Sequence, residues 1–175
     1  MENNIQFVPL KPELYSAYIE IGTKAYDQHY KHLWPKGDTT TYIKNSFTDE
    51  VLLNEEKDED TVLYLIKLNS EYVGILKITL HKQLQDYSKA DALYLDKIYI
   101  LNEFSGKGIG SKSLKFVEQI ATDHSKNTIF LESMQKGLAL PFYLSHSFTI
   151  VANTQVPFNN VIEEEKPMYL LRKDI

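Results

Sequence analysis

Between residues 92 and 123 the chain passes from strand-forming residues into a glycine-studded turn and then into an amphipathic helix, and this succession admits few folds. Ala92–Leu101 is dense in Tyr, Leu and Ile, and the period of two puts Tyr94, Asp96, Ile98 and Ile100 on one face. Ser105-Gly106-Lys107-Gly108-Ile109-Gly110-Ser111 is the turn. A helix of about four turns follows to Asp123 or His124, with Leu114, Val117, Ile120 and Ala121 as its apolar stripe. Asn127–Ser133 is again a strand. Strand, helix and strand in this order read as one parallel crossover, right-handed by default, so a sheet must carry a helix on its face.

The flanking segments extend that sheet. Ile5–Val8 reads as a first strand. Leu14, Tyr18, Ile21, Ala25 and His29 recur at helical spacing between Pro12 and Tyr30. Trp34-Pro35-Lys36-Gly37 is a turn, after which Asp38 or Thr39 caps a helix carrying Tyr42, Ile43, Ser46 and Phe47. Asp49 to Asp60 is polar and acidic, with one apolar cluster at Val51-Leu52-Leu53, and Glu55–Asp60 reads as a solvated loop. Thr61–Leu68 and Tyr72–Leu80 form a hairpin around Asn69-Ser70-Glu71. Lys82 to Lys89 is a polar connection. Ala139–His146 is a short helix, and Phe148–Ala152 and Met168–Leu171 are late strands. The expectation is an α/β (α+β) fold: a mixed, mostly antiparallel central sheet with helices on both faces, in a single domain over residues 1–175.

Composition narrows the function classes. The 12% aromatic share suits a packed core rather than a disordered chain. A net charge of −5 gives a nucleic-acid partner little electrostatic support and tolerates a cationic substrate. The chain has no cysteine, which removes thiolate metal sites and any acyl-cysteine intermediate. His29, His32, His81, His124 and His146 show no metal-ligand spacing, so no metal is expected. Met1 to Leu10 lacks the pattern of a secretory signal, and no run approaches the ~18 apolar residues of a membrane span. A cytoplasmic protein, monomer or homodimer, is the expectation.

Chemistry concentrates in the turn. Its glycines allow close approach of the backbone to a ligand. The first N–H groups of the following helix lack internal partners and, with the helix dipole, suit a diphosphate. The spacing is G-x-G-x-G, which fits neither the Walker pattern nor the dinucleotide fingerprint. A turn rich in glycine for steric reasons alone is the competing reading.

Leu93-Tyr94-Leu95-Asp96-Lys97-Ile98-Tyr99-Ile100 followed by Gly106-Lys107-Gly108-Ile109-Gly110 resembles the acetyl-CoA-binding motif of the GNAT N-acetyltransferases, R/Q-x-x-G-x-G/A. Gly108 and Gly110 match its glycines, and Ser105 stands where Arg or Gln is usual. Downstream, Ala139-x-x-Phe142-Tyr143-x-x-x-Ser147-Phe148 resembles the family's A-x-x-F-Y-x-x-x-G-F, with Ser147 in place of Gly and Lys136 where Asn is common. Ala25-Tyr26 and Tyr42-Ile43-x-x-x-Phe47 are similar to bacterial polyamine acetyltransferases of the PaiA type.

The resemblance implies an acetyl-CoA-dependent N-acetyltransferase acting on the primary amine of a small molecule, with polyamines (spermidine, spermine) first. It places the cofactor's diphosphate on the N–H groups of Ser105, Gly106, Lys107, Gly108, Ile109, Gly110 and Ser111. The pantetheine arm would lie along Ile98, Tyr99 and Ile100 as an added strand. Tyr143 would donate a proton to the leaving thiolate, which a tyrosine of ordinary pKa near ~10 can do. Asp96 would take the amine's proton, directly or through water, and for that its pKa must be raised. Residue type alone also allows Tyr143 as a packing aromatic and Asp96 as a salt-bridged strand carboxylate. A catalytically reduced acyl-CoA-binding module, and an enzyme acetylating a protein N-terminus or lysine, are the competing functions.

Overall fold

The structure, a computed structural model, describes residues 2–84, 86 and 90–175. Half of the polar connection expected at residues 82–89 therefore lies outside the described residues. Seven strands form one sheet: β1 (Ile5–Pro9), β2 (Thr61–Leu68), β3 (Glu71–Thr79), β4 (Ala92–Ile100), β5 (Thr128–Met134), β6 (Thr149–Gln155) and β7 (Pro167–Asp174). Their spatial order is β1-β2-β3-β4-β5-β7-β6. Every neighbouring pair is antiparallel except β4 and β5. The expected mixed, mostly antiparallel sheet is thus the observed one.

Helices cover both faces. On one side lie α1 (Tyr15–Tyr30), α2 (Thr40–Ser46) and α3 (Asp49–Lys57); on the other lie α4 (Ile109–Asp123) and α5 (Ala139–Ser145). Leu114, Val117, Ile120 and Ala121 of α4 are buried against Leu76, Ile78, Leu93 and Leu95 of the sheet. Full burial of each large aliphatic side chain contributes about 1.5–3 kcal/mol, so this stripe fixes α4 on the sheet. The opposite core joins Tyr18 and Tyr26 of α1, Phe47, and Leu52 of α3 to Leu63, Leu65 and Ile75.

The acidic stretch after Thr48 is a helix from Asp49 to Lys57, so the first half of the run Glu55–Asp60, expected as a solvated loop, is its last turn. Thr48 caps it by accepting from the N–H of Val51 at 3.2 Å, and Leu52 is fully buried. Glu55 pairs with Lys77 of β3 at 2.6 Å, and Glu56 accepts from the Tyr15 hydroxyl. One face of the run is therefore spent on packing and pairing. The cap and a single leucine anchor a nine-residue helix whose periodicity is otherwise hidden by charge. Glu163–Glu165 forms a 3-10 turn, with Glu163 bonded to Lys166 at 2.7 Å.

A bulge in β4 sets up the site. Lys77 of β3 pairs with Lys97, whereas the next residue, Ile78, pairs with Leu95, so Asp96 is the extra residue. Alternation is thereby reset. Leu93 and Leu95 face the α4 core before the bulge, and Ile98 and Ile100 face it afterwards. Asp96 does not share their face, as strict alternation had suggested. It accepts from the Thr79 hydroxyl at 2.7 Å, on the side where Lys97 lies over the Tyr42 and Phe47 rings.

Candidate active site

Strands β4 and β5 part almost as soon as they meet. They pair only at Ala92–Thr128, Leu93–Ile129 and Tyr94–Phe130, although β4 continues to Ile100 and β5 to Met134. Beyond Tyr94 the facing edges are released from each other, and α5 and the turn before α4 border the gap.

Two cavities occupy it. One, of about 520 Å³, runs along Ile98, Tyr99 and Ile100 to Gly106, Gly108, Ile109, Gly110 and Ser111. The other, of about 330 Å³, lies between β4 and β5 toward the α1–α2 side. Tyr30, Ile98, Tyr99, Ala139 and Tyr143 line both, so the two meet at Tyr143.

The first cavity is built from main chain. Gly106 and Gly108 have φ of +75° and +77°, a left-handed conformation that other L-residues enter only at a penalty. A Cβ at either position would meet nothing within 4 Å, so the turn is open and no side chain plugs it. Gly108 is the N-cap of α4, and the helical ladder starts at the N–H of Lys112, which donates to the Gly108 carbonyl at 3.1 Å. The N–H groups of Ile109, Gly110 and Ser111 precede that first bond and are left for a ligand. Gly110 serves packing as well: its Cβ would stand 3.0 Å from Phe142 Cζ. Ser105 and Lys107 are exposed, with the Lys107 ammonium 5.5 Å from the Phe104 ring centre. The residues present therefore fit a diphosphate followed by an extended arm. The Ile100 carbonyl is engaged by the chain itself, accepting from His29 Nε2 at 2.7 Å. Tyr99 turns its main chain toward Ile75 of β3, as Leu101 does toward Val73, so of the expected main-chain contacts to that arm those of Ile98 and the N–H of Ile100 remain.

The second cavity is built from side chains. Six tyrosines line it: Tyr26, Tyr30, Tyr42, Tyr94, Tyr99 and Tyr143. Tyr26 stacks on Tyr42 at 3.7 Å, receives a 2.9 Å hydrogen bond from Trp34 Nε1, and Tyr42 and Tyr99 share one of 2.7 Å. Glu132 accepts from the Tyr94 hydroxyl at 2.8 Å. Lys82 lies over the Tyr94 ring, 3.5 Å from its centre. Asp96 and Lys97 complete the polar lining.

Burial shifts these groups away from their charged forms. It raises the Asp96 carboxyl above the ordinary aspartate value, against the pull of Lys77, the Thr79 bond, Lys82 and Lys97. It lowers Lys97 to about 8, helped by Lys77 and opposed by Glu55 and Asp96. Tyr143 is raised well above an ordinary tyrosine, by burial first and by Tyr30 second, and so stays protonated. Its ring packs edge-on against Phe142 and Phe148, with centres 5.3 Å and 5.7 Å away. Asp96 and Tyr143 both line the 330 Å³ cavity, and the turn residues gather in the other. Sequence reasoning missed Lys97 and Glu132. Their signal was present only as charged residues inside strong strand patterns, where charge is out of place.

The sequence matches the acetyltransferase (GNAT) family over residues 21–148, and the chain belongs to that family. It is 22% identical over 113 residues to an uncharacterized N-acetyltransferase in the pepI 3′ region of Lactobacillus delbrueckii subsp. lactis. That match covers 64% of this chain and 65% of that protein; the chain thus spans about two-thirds of the relative's length. Among solved structures, the PaiA N-acetyltransferase from Thermoplasma acidophilum in complex with coenzyme A superposes with a TM-score of 0.77 at 17% identity, covering 98% of this chain and 99% of that one. A GCN5-related N-acetyltransferase from Rhodopseudomonas palustris gives 0.73 at 12% identity, covering 100% and 97%. These likenesses establish the shared fold. Among the described residues no helix is long and apolar enough to cross a membrane, and no cluster of metal-ligating side chains is found.

Proposed function

We propose that this chain is an acetyl-CoA-dependent N-acetyltransferase that acts on the primary amine of a small molecule, with polyamines the first class to test. The observation that carries the reading is the meeting, around Tyr143, of a main-chain cradle and a tyrosine-lined cavity that holds the carboxylates of Asp96 and Glu132. Acetyl-CoA would be held by the N–H groups from Gly106 to Ser111 and by β4 at Ile98 and Ile100, and when bound it supplies an activated thioester. The remaining work falls to this chain. Ile98 or Ile100 offers an N–H to the developing negative charge. Tyr143, kept protonated by burial, holds the proton that the departing sulfur needs. Asp96, raised by burial, accepts the proton that the ammonium must lose before it can attack.

Polyamines are supported by Asp96 and Glu132 and by rings that already host ammonium groups. Lys82 lies over Tyr94 and Lys97 over Tyr42, and aromatic faces attract cations. The test is incubation with acetyl-CoA and a panel of amines, with free thiol release as the readout. Spermidine or spermine is expected to give the fastest release, and no release with any amine would refute the enzymatic reading. Peptide amines outcompeting spermidine would refute the small-molecule assignment while keeping the chemistry.

A further inference from the structure

Behind the cradle, two side chains that the turn motif does not require are bonded to each other. Ser111 Oγ lies 2.9 Å from His146 Nε2. On the far side of the ring, His146 Nδ1 lies 2.7 Å from the Phe142 carbonyl oxygen and 3.1 Å from Ser145 Oγ. A carbonyl oxygen only accepts, so Nδ1 carries the proton. Ser145 gives its own hydrogen to that same carbonyl at 2.7 Å and leaves an oxygen lone pair for Nδ1. In the neutral ring Nε2 is therefore a bare acceptor, and Ser111 must donate to it.

This fixes which way Ser111 faces chemically. Its oxygen sits on the first turn of α4, in the lining of the cradle. While the hydroxyl hydrogen points at His146, the cradle sees only oxygen lone pairs there, which an anion avoids.

We infer that His146 is a positioning residue for the cofactor's diphosphate and takes up a proton when the diphosphate binds. The reasoning rests on the cofactor site proposed above. One proton from solvent adds to Nε2. The new N–H donates to Ser111 Oγ, and the Ser111 hydroxyl turns its hydrogen to a phosphate oxygen. A bond that opposed the anion becomes a charge-assisted chain that favours it. The charged side chains on the surrounding elements are Lys107 in the turn, Lys112, Lys115, Glu118 and Asp123 on α4, and Arg172, Lys173 and Asp174 on β7. Glu118 and Lys173 pair with each other, and among the described residues His146 makes no ion pair.

The experiment is titration calorimetry with 3′-dephospho-coenzyme A. Coenzyme A's own 3′-phosphate is a monoester that titrates near pH ~6 and would mask the effect. Each pH is measured in two buffers of different ionisation enthalpy, which counts protons directly. The wild-type protein is expected to take up a fraction of a proton on binding and to lose about tenfold in affinity from pH ~6 to ~8. His146→Gln is expected to bind without that uptake and with a flat pH profile. Ser111→Ala, which keeps the histidine but removes the relay, is expected to match it. Wild-type binding with no proton uptake, or a pH profile shared with either variant, overturns the inference. If His146→Gln does not fold, the wild-type proton count and Ser111→Ala still decide. Failure to bind at every pH overturns the cofactor site and this inference together, whereas binding without uptake overturns only the latter.

Discussion

The two halves of the cleft are made in different ways. The cradle is one continuous segment, and its ligand-facing groups are main-chain amides at a helix start, held open by Gly106 and Gly108. The second cavity, the proposed acceptor site, draws on α1, α2, β4, β5, α5 and the segment between β6 and β7, and side chains make all of its character. A cradle of amides is indifferent to most sequence change as long as its backbone angles survive. A cavity of side chains changes its preference with each substitution. Cofactor use should therefore be robust and acceptor choice labile, and this contrast can be attacked from each side.

The largest effect is expected where the halves meet. Tyr143→Phe keeps the ring packed between Phe142 and Phe148 but removes the proposed proton donor, so turnover should fall by ~10²–10⁴-fold. Coenzyme A affinity should stay where it was. Thiol-release kinetics beside calorimetry check this; equal losses in binding and turnover would make Tyr143 a packing residue of the cradle instead.

Asp96→Asn comes next and touches only the acceptor half. A loss of roughly 10²-fold in kcat/KM at neutral pH is expected for a lost base, and the acid limb of the pH profile should vanish. The same substitution has a stability sign. Burial raises the folded carboxyl above its unfolded value of ~3.9. Its contribution to stability is therefore fully present below that value and lost as pH rises through the raised one. Asparagine cannot ionise, so the variant should gain melting temperature relative to wild type as pH climbs from about 3 to 7. A gap that moves the other way would mean the ionised carboxylate is stabilised in the fold.

The cradle half is tested by Gly108→Ala. Its Cβ would strike nothing, so any effect is conformational: a non-glycine residue at left-handed φ costs about 1–2 kcal/mol. If the turn relaxes to avoid that angle, the amides swing out of line. Coenzyme A should then bind about tenfold more weakly while the acceptor KM stays fixed. A change in acceptor preference would dissolve the distinction between the halves.

This division also explains what the sequence could disclose. The cradle was legible because a strand, a glycine-studded turn and an amphipathic helix are local patterns, and its amide donors exist whatever the side chains are. The hairpin and α4 were legible for the same reason. The bulge at Asp96 was not, because it is an agreement between β3 and β4 on register, and neither strand states it alone. Without the bulge, Asp96 was placed with Ile98 and Ile100 rather than beside Thr79 and the tyrosines. Helix α3 was obscured because Thr48 and Leu52 are few signals amid many charges. The tyrosine box required Tyr26, Tyr42 and Tyr99 to meet from three elements, and only the fold brings them together.

The smallest effect is expected at Ser147, the position where the family's second motif carries glycine. Ser147 holds φ +70°, immediately after α5, in the region that glycine enters freely and serine does not. Serine therefore holds a glycine-type corner here at a conformational cost. Ser147→Gly should relieve that strain and raise stability by about 0.5–1 kcal/mol, less than the conformational penalty itself because glycine also gains freedom in the unfolded chain. Denaturant unfolding at constant m-value measures the gain. Turnover should not change, since Phe148 already packs on Tyr143 in the serine form. A gain in turnover without a gain in stability would place the cost of Ser147 in the positioning of Tyr143 and tie the motif's glycine to the chemistry rather than to the corner.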